Sequence, residues 1–159
     1  DQIKQLPLAI KYSNLKQTQQ WIKVMPSKIH KLGLFAMENI NQGDIVCEYV
    51  GEIVSNRVAD QREKNYEKWG LGDCYMFRLD SDYVIDATLR GNYGWFMNHS
   101  CDANCIAKVE HLQGQKHILI LANRSIPKGT EITYFYNFAP EAEKINCYCG
   151  APNCFKVLN

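Results

Sequence analysis

Three cysteines crowd the end of the chain in the run Cys147-Tyr148-Cys149-Gly150-Ala151-Pro152-Asn153-Cys154. At that spacing they fall one ligand short of the tetrahedral thiolate set that holds a structural zinc ion. A fourth thiol is available in the fifteen residues from Gly91 to Cys105, where Cys101 and Cys105 each offer one. The same run sets Asn98 beside His99, just after the apolar Trp95-Phe96-Met97. A carboxamide, an imidazole and two adjacent backbone groups provide enough hydrogen-bonding capacity to hold a polar small molecule.

The elements that must position these groups read mostly as strands. Trp21 to Met25 has strand character and is expected to halt at Pro26, whose ring cannot donate to a ladder. Leu34 to Met37 starts a second strand. After the turn cluster Asn41-Gln42-Gly43-Asp44, Ile45 to Val50 makes a third. From Ser55 to Trp69 the pattern changes. Val58, Ala59, Arg62, Tyr66 and Trp69 recur at helical spacing behind a Ser55/Asn56 cap, and Gly70 ends the run, giving one substantial helix over about 55–71. Tyr75 to Leu79 and Tyr83 to Ala87 form a hairpin across Asp80-Ser81-Asp82. Ile106 to His111 and Lys116 to Ala122 form another through Gln113-Gly114. Pro127-Lys128-Gly129 turns the chain into a last strand from Glu131 to Phe138. Residues from Leu6 to Gln20 show an indifferent pattern, compatible with a docking arm or a short helix. The fold class is therefore mostly β with one main helix, a β-rich α+β arrangement. A doubly wound parallel sheet is not indicated, and the glycines form no dinucleotide-binding fingerprint after a strand.

At 159 residues the chain is one domain, long enough to bury roughly two-thirds of its unfolded surface. Its 18 basic and 17 acidic residues leave a net charge of +1, without the basic excess that direct DNA binding relies on. No apolar run approaches membrane-spanning length, so no membrane partner is expected, and Asp1-Gln2-Ile3-Lys4-Gln5 lacks a signal-peptide core. The missing initiator methionine suggests an excised fragment. Seven cysteines are an odd number in a chain of this size, which favours a zinc site over a disulfide framework, with Cys47, Cys74 and one of Cys101 and Cys105 left as free thiols.

Asn98-His99-Ser100-Cys101, Ile132-Thr133-Tyr134-Phe135-Tyr136 and the terminal cysteine cluster together resemble a SET-domain protein lysine methyltransferase with a post-SET zinc module. The likeness extends through His30-Lys31-Leu32-Gly33-Leu34-Phe35, Glu48-Tyr49-Val50-Gly51-Glu52 and Cys74-Tyr75-Met76-Phe77-Arg78-Leu79-Asp80. It implies a SET fold of short sheets over 21–138, a flanking segment over 1–20 and a post-SET segment over 139–159. It also implies a pseudoknot that brings the segment after Thr133 to the Asn98-His99 loop.

The resemblance implies S-adenosylmethionine as methyl donor, with S-adenosylhomocysteine as product, and a structural zinc ion on Cys101, Cys147, Cys149 and Cys154. The cofactor would be held by His30, Lys31, Leu32, Gly33 and Leu34, with Tyr75, Trp95, Asn98 and His99 completing the pocket. Tyr136 would stand at the transfer point, with Tyr49, Tyr75 and Phe77 lining the lysine channel. Tyr134 would occupy the tyrosine-or-phenylalanine switch position and so limit the isolated domain mainly to monomethylation. Such a channel suits the chemistry, because a lysine amine with a reference pKa of about 10.4 must become neutral before it can attack, and an aromatic lining desolvates it. Tyr12, Tyr66 and Tyr83 are expected only to fill the core.

Among SET subtypes, Trp69-Gly70-Leu71-Gly72-Asp73-Cys74, Gly114-Gln115-Lys116-His117-Ile118 and Val157-Leu158-Asn159 are most similar to the trithorax and mixed-lineage-leukaemia type. That type implies the fourth residue of histone H3 as substrate, nucleosomes and a nuclear location, and a WD-repeat protein among the subunits that order the insert helix. Gly91-Asn92-Tyr93 and Cys149 to Cys154 look somewhat like the nuclear-receptor-binding and Ash-like type, which targets the thirty-sixth residue. Leu32 and Trp95 stand where arginines are usual, and Phe135 where an acidic residue is common. These departures set a weakly active or inactive histone-peptide-binding module beside the enzyme reading.

Overall fold

The computed structural model describes residues 7–15, 21–71, 75–136 and 144–159, with the backbone alone at Tyr93. Cys74, Phe138 and the outer parts of the N-terminal segment lie outside the described residues. Among the described residues, helix α1 (Leu8–Ser13) is followed by strands β1 (Ile22–Pro26), β2 (Leu32–Ala36), β3 (Ile45–Tyr49) and β4 (Glu52–Ser55). Helix α2 (Asn56–Lys68), β5 (Met76–Arg78), β6 (Tyr83–Asp86) and a 3₁₀ turn (Tyr93–Phe96) come next. β7 (Asn98–His99), β8 (Cys105–Leu112), β9 (Gln115–Ala122) and β10 (Glu131–Tyr134) complete the order. The arrangement is mostly strands with one main helix, as the sequence pattern implies.

The larger sheet runs β1-β2-β10-β8-β9-β3, with β7 also paired to β10; the smaller runs β4-β6-β5. β9 lies between two strands, and Ile118, Leu119 and Ile120 are at most 1% exposed. Its faces divide by the two-residue period of a strand. Ile120 joins a core of Leu34, Val46, Met97 and Ile132, whereas Leu119 and Leu121 face the opposite side. There α1 closes the sheet: Leu15 is buried with Ile45 and Leu119, while Leu8 and Tyr12 pack around them. Tyr12 also donates to a Glu48 carboxylate oxygen at 3.0 Å. The indifferent N-terminal pattern is thus a short helix docked on the back of β3 and β9.

Local chemistry sets the boundaries. Ser55 accepts the Val58 amide at 3.3 Å and caps α2, which ends before Gly70 at φ +73°. Gln113 and Gly114, at φ +53° and +78°, make the two-residue turn of the β8–β9 hairpin, where a positive φ at both positions matches the twist of the strands. β1 stops at Pro26 as expected, with the proline itself paired opposite Leu32, a position open to it because β1 is an edge strand. β10 ends at Tyr134. Two strands escape the sequence pattern. β4 is a four-residue strand squeezed between Gly51 and the helix cap, and β7 is only two residues long. Tyr83, expected in the core, is 48% exposed.

Leu119 is fully buried beneath α1. Leu119→Ala is expected to cost about 2–5 kcal/mol, read as a lower urea midpoint at unchanged m-value.

Candidate functional site

The site is built where β7 and β10 run parallel, with Thr133 opposite Asn98 and Tyr134 opposite His99. Two-residue β7 cannot hold that pairing alone, and buried side chains brace it. Asn104 accepts the Thr133 amide at 3.0 Å and donates to the Glu131 carbonyl at 2.8 Å, fixing β10 from the side. Asn98 is 8% exposed, and its amide nitrogen donates to the Leu32 carbonyl and to Glu131 Oε1, each at 2.9 Å. Ser27 Oγ lies 3.2 Å from the same nitrogen, so the loop before β2 is tied to β7. Gly33 is required here: a Cβ would meet Glu131 Oε1 at 2.0 Å.

His99 is also committed within the protein. Its Nδ1 accepts the Tyr136 amide at 2.9 Å, and its Nε2 lies 3.3 Å from Cys101 Sγ. Burial lowers its pKa, so the ring is neutral. Because Nδ1 accepts, the ring proton sits on Nε2 and points at the sulfur. In the structure the Asn98 amide nitrogen thus reaches the loop before β2 and Glu131, and the His99 ring nitrogens reach the Tyr136 amide and the Cys101 thiol. Leu34 likewise is fully buried in the core. His30, Lys31 and Leu32 are exposed beside them, Lys31 at φ +28°.

The aromatic side chains form a connected run. Tyr49 lies 5.4 Å from Phe77, Phe77 6.3 Å from Tyr134, Tyr134 4.8 Å from Tyr136, and Tyr136 5.3 Å from His99, all between ring centroids. Tyr75 packs on Trp95 at 4.6 Å, so Trp95 is stacked among aromatics, with Phe96 at 5.0 Å. Tyr136 donates its hydroxyl to the Met97 carbonyl. Burial raises the pKa of both Tyr134 and Tyr136. The Cys47 thiol and the Tyr75 phenol add to the effect at Tyr134, and the phenols of Tyr134, Tyr75 and Tyr49 add to it at Tyr136. These phenols therefore stay neutral across the physiological range, offering an apolar ring with a polar tip. Among the described residues, Trp95 Nε1 is the one buried side-chain nitrogen or oxygen without a hydrogen-bond partner. An open depression of about 400 Å³ between Ala87 and Phe96 has Trp95 in its wall but none of the tyrosines.

The four cysteines Cys101, Cys147, Cys149 and Cys154 converge, with all sulfurs within 4.8 Å of one another. Cys101 lies 3.9 Å from both Cys147 and Cys154. A tetrahedron with zinc–sulfur bonds of about 2.3 Å has an edge of about 3.8 Å, so the donor set fits zinc in type and dimension. Backbone amides of Phe155 and Lys156 point at the sulfurs of Cys101 and Cys154, at 3.4 and 3.3 Å. Cys105, the alternative fourth ligand, is instead buried in β8 with its thiol pushed up to about 12 by desolvation. This cluster can hold a zinc ion.

Asn104, Glu131 and Ser27 were not among the residues singled out from the sequence. Asn104 left one signal, an amide inside the stretch that already held Asn98 and Cys101. The partners it braces are far away along the chain.

Comparison with known proteins agrees with this geometry. Residues 31–137 match the SET domain family. The histone-lysine N-methyltransferase, H3 lysine-4 specific, of Schizosaccharomyces pombe is 51% identical over 150 residues, covering 94% of this chain and 16% of that protein. Trithorax of Drosophila virilis is 47% identical over 155 residues, and human histone-lysine N-methyltransferase 2B is 46% identical over 158. These matches cover 97% and 98% of this chain but 4% and 6% of those proteins, so the chain spans a small part of its relatives' length. Its own match is nearly end to end, and the chain belongs to the SET-domain family, beside the trithorax and set1 type of histone-lysine methyltransferases.

Proposed function

We propose that this chain transfers methyl groups from S-adenosylmethionine to a lysine of histone H3, at the fourth residue, and mainly once per lysine when isolated. The observation that carries the reading is the meeting of Tyr134 and Tyr136 with Tyr49, Phe77 and His99 at the β7–β10 junction. The relatives' names support the substrate, since one is described as H3 lysine-4 specific. When bound, S-adenosylmethionine supplies an electrophilic methyl group on a sulfonium.

The chain's own residues prepare the amine that attacks it. Neutral, desolvated rings of Tyr49, Tyr75, Phe77 and Tyr134 enclose the lysine stem and disfavour its ammonium form. Tyr136 directs its proton to the Met97 carbonyl, so toward polarised C–H or N–H groups at the transfer point its oxygen acts as an acceptor. The Tyr134 hydroxyl takes up space and limits further methylation. The cofactor would be held at the edge formed by exposed His30, Lys31 and Leu32 and buried Gly33, with Leu34, Asn98 and His99 shaping the loop from behind. The orphaned Trp95 Nε1 is a donor suited to its polar groups. Zinc on Cys101, Cys147, Cys149 and Cys154 fastens the C-terminal segment to β7 through the Cys101–His99 contact. By extension from its relatives the domain acts in the nucleus on nucleosomes, with WD-repeat and other subunits bound along α2.

Labelled methyl transfer to recombinant H3 and nucleosomes, with the modified lysine mapped by mass spectrometry, tests this reading. Transfer to the fourth residue is expected, falling roughly 100-fold or more in Tyr136→Phe. Transfer to the thirty-sixth residue would instead assign the chain to the Ash-like type, and no transfer even with partner subunits would make it a histone-binding module. Tyr134→Phe is expected to shift the product toward di- and trimethyl-lysine.

Metal analysis should find one zinc per chain, lost in Cys154→Ser with a lower Tm. The buried phenols give a third test. Their folded pKa values lie above the unfolded value of about 10, so their contribution to stability is intact below pH 10 and is lost as pH rises from there. The fall in stability above pH 10 is expected to be shallower in Tyr134→Phe than in the wild type, as measured by denaturant midpoints across the alkaline range.

A further inference from the structure

Away from the cysteine cluster, a buried carboxylate joins the insert helix to the wall of the proposed lysine channel. Asp86, the last residue of β6, is 2% exposed. A charge in that position is tolerable only if it is fully paired. Its Oδ2 takes the Tyr66 hydroxyl at 2.7 Å and the Arg62 guanidinium at 3.0 Å, both from α2. The other arm of Arg62 reaches Glu52 on β4 at 3.0 Å. Asp86 Oδ1 accepts the Thr88 amide at 3.0 Å, which bends the chain back as it leaves β6. Thr88 Oγ1 then accepts the Tyr75 amide at 2.9 Å, while the Tyr75 carbonyl accepts the Ala87 amide at 2.7 Å. Tyr75 stands just before β5 and outside its ladder, so residues 87 and 88 hold both its backbone groups.

We propose that Asp86 and Thr88 are positioning residues for Tyr75. The two oxygens of one carboxylate act in opposite directions: one is fixed by α2, and the other sets the Thr88 bend that clamps Tyr75. The Tyr75 ring then takes its place against Trp95 and near the Tyr134 and Tyr136 phenols. Tyr66, which the sequence offers only as core filler, is the end of this relay. The consequence for catalysis rests on the reading of Tyr75 as channel wall; the clamp itself does not.

Thr88→Val removes the acceptor at nearly constant volume, and Thr88→Ser restores it. Thr88 is only half-buried, so both variants should fold. Amide hydrogen exchange at Tyr75 reads the clamp directly, and steady-state methyl transfer to an H3 peptide reads its consequence. The expected result is faster Tyr75 exchange in Thr88→Val together with a kcat lowered roughly 10- to 100-fold at little-changed peptide KM, with Thr88→Ser close to wild type in both. Asp86→Asn, which keeps an acceptor for the Thr88 amide but loses the Arg62 ion pair, should fall between them. Unchanged Tyr75 exchange in Thr88→Val would overturn the clamp. Faster exchange with wild-type kcat would overturn its role in positioning. A wild type that transfers no methyl to any H3 lysine would overturn the functional reading instead, with exchange still deciding the clamp.

Discussion

The structure depends on a pairing that its own hydrogen bonds cannot sustain. β7 is two residues long, and a parallel ladder of that length is marginal alone. It persists because Asn104 holds the β10 backbone and Asn98 holds the loop before β2. The buried amides of Asn98 and Asn104 therefore replace a longer strand. The result is a backbone junction of two stretches distant in sequence, with Thr133 opposite Asn98 and Tyr134 opposite His99.

Around that junction the electrostatics are those of a dry site. His99 is neutral, Tyr134 and Tyr136 keep their protons, and Trp95 packs at a tilt against Tyr75. Formal charge is kept one layer out, at Glu131 against Asn98 and at the Asp86 cluster beneath α2. The lining therefore offers acceptors and π-faces but no fixed negative charge in the rings themselves.

Much of this was legible in the sequence because it depends on local pattern. The helix cap at Ser55, the Gln113-Gly114 turn, the alternating hairpin strands and the run of Cys147, Cys149 and Cys154 each leave a signature within a few residues. Placement of Tyr134 beside Tyr136 followed from recognising the motif. What stayed hidden is non-local. β4 and β7 are too short to show a period, and Glu131 and Asn98 are thirty-three residues apart when they bond. The partners of the Asn98 amide nitrogen and the His99 ring, from Leu32 and Glu131 to Tyr136, are likewise spread along the chain. Pattern shows which groups are able to form hydrogen bonds, and only the fold shows which partners take them.

Helix α1 changes what counts as the domain. The SET family match begins at residue 31, yet Leu15 is buried against Ile45 and Leu119 on the far face of the same sheet that carries β10. A sheet with apolar side chains on both faces has no side prepared for water. The minimal folding unit therefore reaches back at least to Leu8, and the flanking residues belong to the core in the same sense as β9 itself. Substitutions on the packed face of α1 are accordingly felt at β3 and β9.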